Sequence, residues 1–148
     1  MKRLLVLFIA FLPFVNFAQQ QEPVSWSVSF EPLNGDEGRL IVHASIQPGW
    51  HIYSQRSSDA GPISTSFSFT PSADYERVGP VEEKGATEEF DKAFEAKLYL
   101  FHNSADFIQK IKLKKKNKAR FGIRLEYTTC NEMMCLPPRI TELTLTAP

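Results

Sequence analysis

Cysteine is scarce in this chain. The 148 residues contain two, Cys130 and Cys135, and neither stands directly after the N-terminal apolar run, which excludes a lipoprotein anchor. Long apolar runs are also missing. After Val15 no segment approaches the roughly 20 apolar residues that a membrane span requires. There is no excess of charge of either sign, with 17 basic and 17 acidic side chains, and nothing in that balance points to nucleic acid as a partner. No serine-nucleophile elbow, phosphate loop, metal-protease helix or calcium loop occurs, which argues against hydrolytic and nucleotide-dependent chemistry. Internal repeats and low-complexity linkers are absent, and few windows show helical spacing.

The apolar run that is present lies at the N-terminus. Lys2 and Arg3 precede Leu4–Leu12, and Pro13-Phe14-Val15 leads into Asn16-Phe17-Ala18. A charged start, a short apolar stretch and a small residue make a secretory signal, with cleavage expected after Ala18. Residues 19–148 then form one domain, long enough to bury a real core. Loss of Lys2 and Arg3 leaves 15 basic against 17 acidic groups, a formal charge of −2. The protein is expected to be periplasmic, and an exported pair of cysteines is free to form a disulfide.

The remaining sequence alternates with period two. Val24, Trp26, Val28 and Phe30 alternate with serines; Leu40, Val42, Ala44 and Ile46 follow, then Phe67 and Phe69, then Phe94 to Leu100, then Phe121, Ile123, Leu125 and Tyr127, and finally Leu143 and Leu145. Each run reads as a strand with one buried face. Turn signals separate them, among them Asn34-Gly35-Asp36, Pro48-Gly49, Gly61-Pro62 and Gly79-Pro80. The pattern predicts an all-β, immunoglobulin-like antiparallel β-sandwich. Strands are expected near 24–30, 39–46, 64–70, 94–101, 107–113, 119–128 and 140–145. Residues 88–97 could also pass for a short helix. The lysine-rich stretch from Ile111 to Arg120 reads as a solvated hairpin, and Gln19–Pro23 and Ala147-Pro148 as loose tails. Trp50 and Tyr53 read as core aromatics and His43 as a surface residue. His51 could approach the cysteines as a base.

The chemistry lies in YTTCNEMMCLPP, Tyr127 to Pro138. The cysteines close only a small loop, which can open without unravelling a domain. Pro137 and Pro138 forbid a helix, so no helix dipole acidifies either thiol. Ordinary thiols that exchange with a docked partner are expected, since exchange requires an attacking thiolate to reach one sulfur directly. Two other readings remain open on the residues alone. One is a structural staple in a non-catalytic secreted binding module; closing so short a loop stabilises by only about 2 kcal/mol. The other is a Cu(I) site built from both thiolates with Met133 and Met134.

YTTCNEMMCLPP resembles the active-site hairpin of the periplasmic N-terminal domain of the thiol:disulfide interchange protein DsbD. GWHIYSQ, Gly49 to Gln55, resembles that family's early glycine-aromatic segment. Glu88-Glu89-Phe90 resembles the acidic-aromatic cap loop that shields the cysteines. The resemblance runs over nearly the whole region after the signal, although four residues separate the cysteines, one fewer than in the best-known members. It implies a thiol:disulfide oxidoreductase of the protein-disulfide reductase type, with Cys130 and Cys135 as the redox pair, Cys135 forming the mixed disulfide, and no cofactor. It implies Glu88, Glu89, Phe90, Tyr127, Met133 and Met134 as cap or docking residues. Its implied partners are a membrane-embedded DsbD-like electron donor and a thioredoxin-like periplasmic acceptor, either a disulfide isomerase or a cytochrome c maturation protein. The donor is expected to be a separate protein, because no membrane segment follows the domain in this sequence. A monomer is expected.

Overall fold

A computed structural model describes residues 22–56, 61–92, 94–114 and 118–147. The expected signal segment lies outside them. Eleven strands run in chain order: β1 (Val24–Pro32), β2 (Glu37–Ile46), β3 (His51–Tyr53), β4 (Ser66–Phe69), β5 (Tyr75–Lys84), β6 (Thr87–Asp91), β7 (Ala96–His102), β8 (Ser104–Leu113), β9 (Arg120–Tyr127), β10 (Thr129–Cys130) and β11 (Arg139–Thr146). Among the described residues there is no helix, and every named strand pairing is antiparallel. The strands form three sheets, ordered β1-β2-β8-β5, β10-β3-β7-β6 and β11-β9-β4. This is an immunoglobulin-like antiparallel β-sandwich, as the alternation predicts.

The alternating residues decide the layers. Leu40, Val42 and Ala44 on β2 and Phe107 and Ile111 on β8 turn inward from the first sheet. Phe121, Ile123, Leu125 and Tyr127 on β9 face them from the β11-β9-β4 sheet. Aromatic rings interlock in the middle: Trp26 lies 5.0 Å from Tyr127, and Phe67 lies 4.9 Å from Phe107, centroid to centroid. Offset and edge contacts of this kind add to simple burial.

The site sheet, β10-β3-β7-β6, has two working faces. Ile52 and Phe101 are register partners, fully buried in the main core. The opposite face carries Tyr53, Leu98, Leu100 and Cys130 in a second, smaller buried cluster. Successive strand residues point to opposite faces. One sheet therefore anchors itself through alternate residues and presents the others at the cysteines.

Four strands fall outside the seven expected from the sequence. β5 runs straight through Gly79-Pro80, which reads as a separator. Its register with β8 shifts between Val78 and Glu82, so the glycine and proline sit in a bulge. Gln109, buried on β8, donates to the carbonyls of Val78 and Gly79 there. The described residues of 88–97 form no helix; they end β6 and begin β7, which pair with each other, and Ala93 lies outside the described residues. The strands that flank the lysine-rich stretch, β8 and β9, lie in different sheets and so do not pair as a hairpin; residues 115–117 lie outside the described residues. Lys110 and Lys112 still lie on a solvated face, paired with Glu82 and Asp36. Pro23 and Ala147 are tied more firmly than loose tails would be: Gln47 N–H donates to Pro23 O and Ala147 N–H to Ala119 O, while Gln19–Gln21 and Pro148 lie outside the described residues.

Candidate functional site

Cys130 and Cys135 are joined in a disulfide with their Cα atoms 4.0 Å apart. Tyr127 ends β9 as a core residue, and two positions later the chain enters β10. There Thr129 and Cys130 pair with Ile52 and His51 of β3. This pairing holds Cys130 down, and the residue is only 1% exposed. Cys135 is exposed. Between them the chain turns back tightly. Asn131 Oδ1 accepts the backbone N–H of Met133 and of Met134 at 2.9 and 2.8 Å. Asn131 N–H donates to Met134 O, and Leu136 N–H to Thr129 O. An asparagine that bonds its own following backbone is a turn former.

A cleft of about 360 Å³ opens at the disulfide. Both cysteines, Glu89, Phe90, Met133 and Met134 line it, together with His51, Tyr53, Asp91 and His102. Three of the apolar side chains are conspicuously wet: Phe90 is 62% exposed, Met133 88% and Met134 50%. Two residues grouped with them by sequence lie elsewhere. Glu88 points away from the cleft and meets Lys97 at 3.9 Å. Tyr127 is buried in the main core against Trp26.

The polar floor was largely invisible in the sequence. Tyr53 Oη donates to Asp91 Oδ2 at 2.7 Å and lies 3.1 Å from His51 Nε2. Burial, then the bond to Asp91, pushes the Tyr53 hydroxyl far above its ordinary value, so it remains a hydroxyl. His102 Nε2 meets both carboxylate oxygens of Glu89, at 3.1 and 3.2 Å. The two imidazoles are 5.5 Å apart. Burial and, next, the neighbouring His102 hold His51 below the ordinary histidine value of 6.5. A bond from Thr87 is the main cause that holds the Glu89 carboxyl below its usual range. Tyr53 was expected in the core; it is fully buried, yet its hydroxyl belongs to this network. Among the described residues, no group of three or more His, Cys, Asp or Glu is arranged to hold a metal ion. No helix among them is long and apolar enough to cross a membrane.

The chain resembles several known structures in fold. One is the reduced N-terminal domain of DsbD from Neisseria meningitidis, at 19% identity and a TM-score of 0.53, covering 82% of this chain and 85% of that one. Another is the DsbD N-terminal domain of the same organism in its complex with the PilB N-terminal domain, at 18% identity and a TM-score of 0.51, covering 80% of each chain. The N-terminal periplasmic domain of ScsB from Proteus mirabilis matches at 13% identity and a TM-score of 0.56, covering 85% of this chain and 46% of that one. None of the curated proteins matches the sequence. The sequence model of the DsbD N-terminal family matches residues 18–147, almost the whole chain. With a disulfide loop in the position that the family's motif predicts, the chain belongs to the family of the N-terminal domain of the thiol:disulfide interchange protein DsbD.

Proposed function

We propose that this domain is a periplasmic thiol:disulfide oxidoreductase that relays reducing equivalents through Cys130 and Cys135. A membrane-embedded dithiol donor opens the disulfide. The dithiol then reduces a thioredoxin-like acceptor, such as a disulfide isomerase or a cytochrome c maturation protein. The observation that carries this reading is the asymmetry of the pair: one sulfur-bearing residue is buried on a strand, and the other is exposed beside a wet apolar rim. Exchange proceeds by attack of a thiolate on one accessible sulfur through a mixed disulfide. Cys135 is the residue a partner can reach. Phe90, Met133 and Met134 offer apolar, adaptable contacts for a docking surface. The complex of a DsbD N-terminal domain with a PilB N-terminal domain supports a protein partner.

Trapping tests the relay. Cys130→Ala leaves Cys135 unable to resolve a mixed disulfide, so it should accumulate adducts with periplasmic thiol proteins. Cys135→Ala should trap far less. If neither variant captures such a protein, the relay is wrong.

A further inference from the structure

The buried cysteine poses a chemical problem. After Cys135 has joined a partner's sulfur, Cys130 must lose its proton to close the ring, and burial raises a thiol's pKa. No helix dipole is available to help. The structure does place a base beside it. Cys130 and His51 are direct register partners on β10 and β3, and His51 and His102 are partners on β3 and β7. Directly opposed residues share a face, with Cβ atoms about 5 Å apart. Cys130, His51 and His102 thus form one row across the sheet, and all three line the cleft.

The network behind His51 fixes its tautomer. The single hydrogen of Tyr53 Oη goes to Asp91. At the 3.1 Å contact the Tyr53 oxygen therefore accepts, and His51 Nε2 carries the hydrogen. Nδ1 keeps its lone pair. We propose that His51 is the general base for Cys130, with Tyr53 and Asp91 positioning it. The inference rests on the exchange reading above. His51 takes the proton of the Cys130 thiol, and the thiolate attacks Cys135 Sγ. The Cys130–Cys135 bond forms as the Cys135–partner bond breaks, and the partner's sulfur leaves as a thiolate with the electron pair. The domain is oxidised and the partner reduced. When a donor thiolate opens the disulfide, the same steps run backwards: Cys130 leaves as a thiolate and is protonated through His51, which draws the proton from water. The titratable groups that share the cleft with His51 are Tyr53 on its own strand, His102 on β7, Glu89 and Asp91 on β6, Lys92 just beyond it, and Glu132 after β10. Burial and His102 hold His51 neutral at pH 7, and so able to accept a proton, against the opposing pull of Asp91 and Glu89.

The aryl disulfide dithiobis(nitrobenzoate) tests this without any natural partner. Reduced protein should release two coloured thiolates, one when the exposed cysteine attacks and one when Cys130 closes the ring. Cys130→Ala, which stops after the first, assigns the phases. His51→Gln keeps a donor for Tyr53 but provides no base. It should slow the second release relative to the first by on the order of 100-fold. In the wild type the second release should rise with pH below 6.5, the ordinary histidine value. In His51→Gln that rise should move above about 8.5, to the thiol itself. His102→Gln should shift the wild-type rise upward and Glu89→Gln downward, which keeps the test open if His51→Gln misfolds. An unchanged ratio of phases in His51→Gln, or a rise that none of these substitutions moves, overturns the proposal. Failure of the relay would look different: both releases normal, and no partner trapped.

Discussion

Removal of one oxygen atom, in Tyr53→Phe, probes the floor of the cleft. The ring stays, so the packing of the smaller cluster, Leu98, Leu100 and Cys130 included, is retained. Two bonds are lost: the 2.7 Å donation to Asp91 and the 3.1 Å contact with His51. Tyr53 is fully buried, and the side chains of Asp91 and His51 are only 7% and 14% exposed, so water cannot simply replace the hydroxyl. Leaving a buried polar group unsatisfied costs about 1–3 kcal/mol. We therefore expect Tyr53→Phe to destabilise the oxidised protein by about 2 kcal/mol, a fall in Tm of roughly 6–10 °C for a domain of this size. Tyr75→Phe is the control. Its hydroxyl makes one bond, to Thr70 O at 3.0 Å, and about 1 kcal/mol is expected. Urea unfolding at pH 7 measures both, and an unchanged slope shows that the unfolded states are comparable. A Tyr53→Phe cost below that of Tyr75→Phe would refute the network.

Three further outcomes follow from the same coordinates. Phe90→Ala should speed alkylation of the reduced cysteines severalfold, yet cost less than about 1 kcal/mol of stability because the ring is already largely exposed; no change in rate would remove Phe90 as a cap. Burial pushes the Glu83 carboxyl up, but bonds from Ser54, Gln55 N–H and Arg56 outweigh it and hold the carboxyl below its ordinary value of 4.5. With the folded value below the unfolded one, its stabilisation is complete above pH 4.5 and is lost as pH falls through the folded value; the urea midpoint should drop there in the wild type and less steeply in Glu83→Gln. Reduction of the disulfide should cost about 2 kcal/mol of stability, with the pair's potential between roughly −180 and −270 mV and unmoved by Met133→Leu with Met134→Leu. A potential below about −300 mV would identify a staple instead.

The sandwich was legible because one buried face per strand imposes period two, and β1, β2 and β9 show it cleanly. β5 was not, because its residues are mostly exposed and its bulge carries Gly79-Pro80, which locally looks like a turn. β3 and β10 are three and two residues long, too short for any period to register. At the site, Glu89, Phe90, Met133, Met134 and both cysteines converge on one cleft. Glu88 and Tyr127 do not: Glu88 meets Lys97 outside the cleft, and Tyr127 packs against Trp26 in the main core. Asp91, Tyr53 and His102 were missed as a group because their partnership is set by sheet register across β3, β6 and β7. Only Asn131 left a local trace, as a turn-forming residue directly after a cysteine.

The loop between the cysteines is also what keeps the exchange local. The Asn131 bonds to Met133 and Met134 N–H do not involve either sulfur, so they remain available when the disulfide opens. Cys130 is paired to β3 through the backbone, a pairing that does not depend on the disulfide bond itself. The return of Cys135 to Cys130 then requires little reordering of the chain, and the closing step gains from preset proximity rather than from a strong nucleophile. That arrangement suits thiols with no helix dipole to acidify them. It also explains why the polar floor matters: once geometry is preset, the proton on the buried Cys130 is the remaining obstacle to closing the ring.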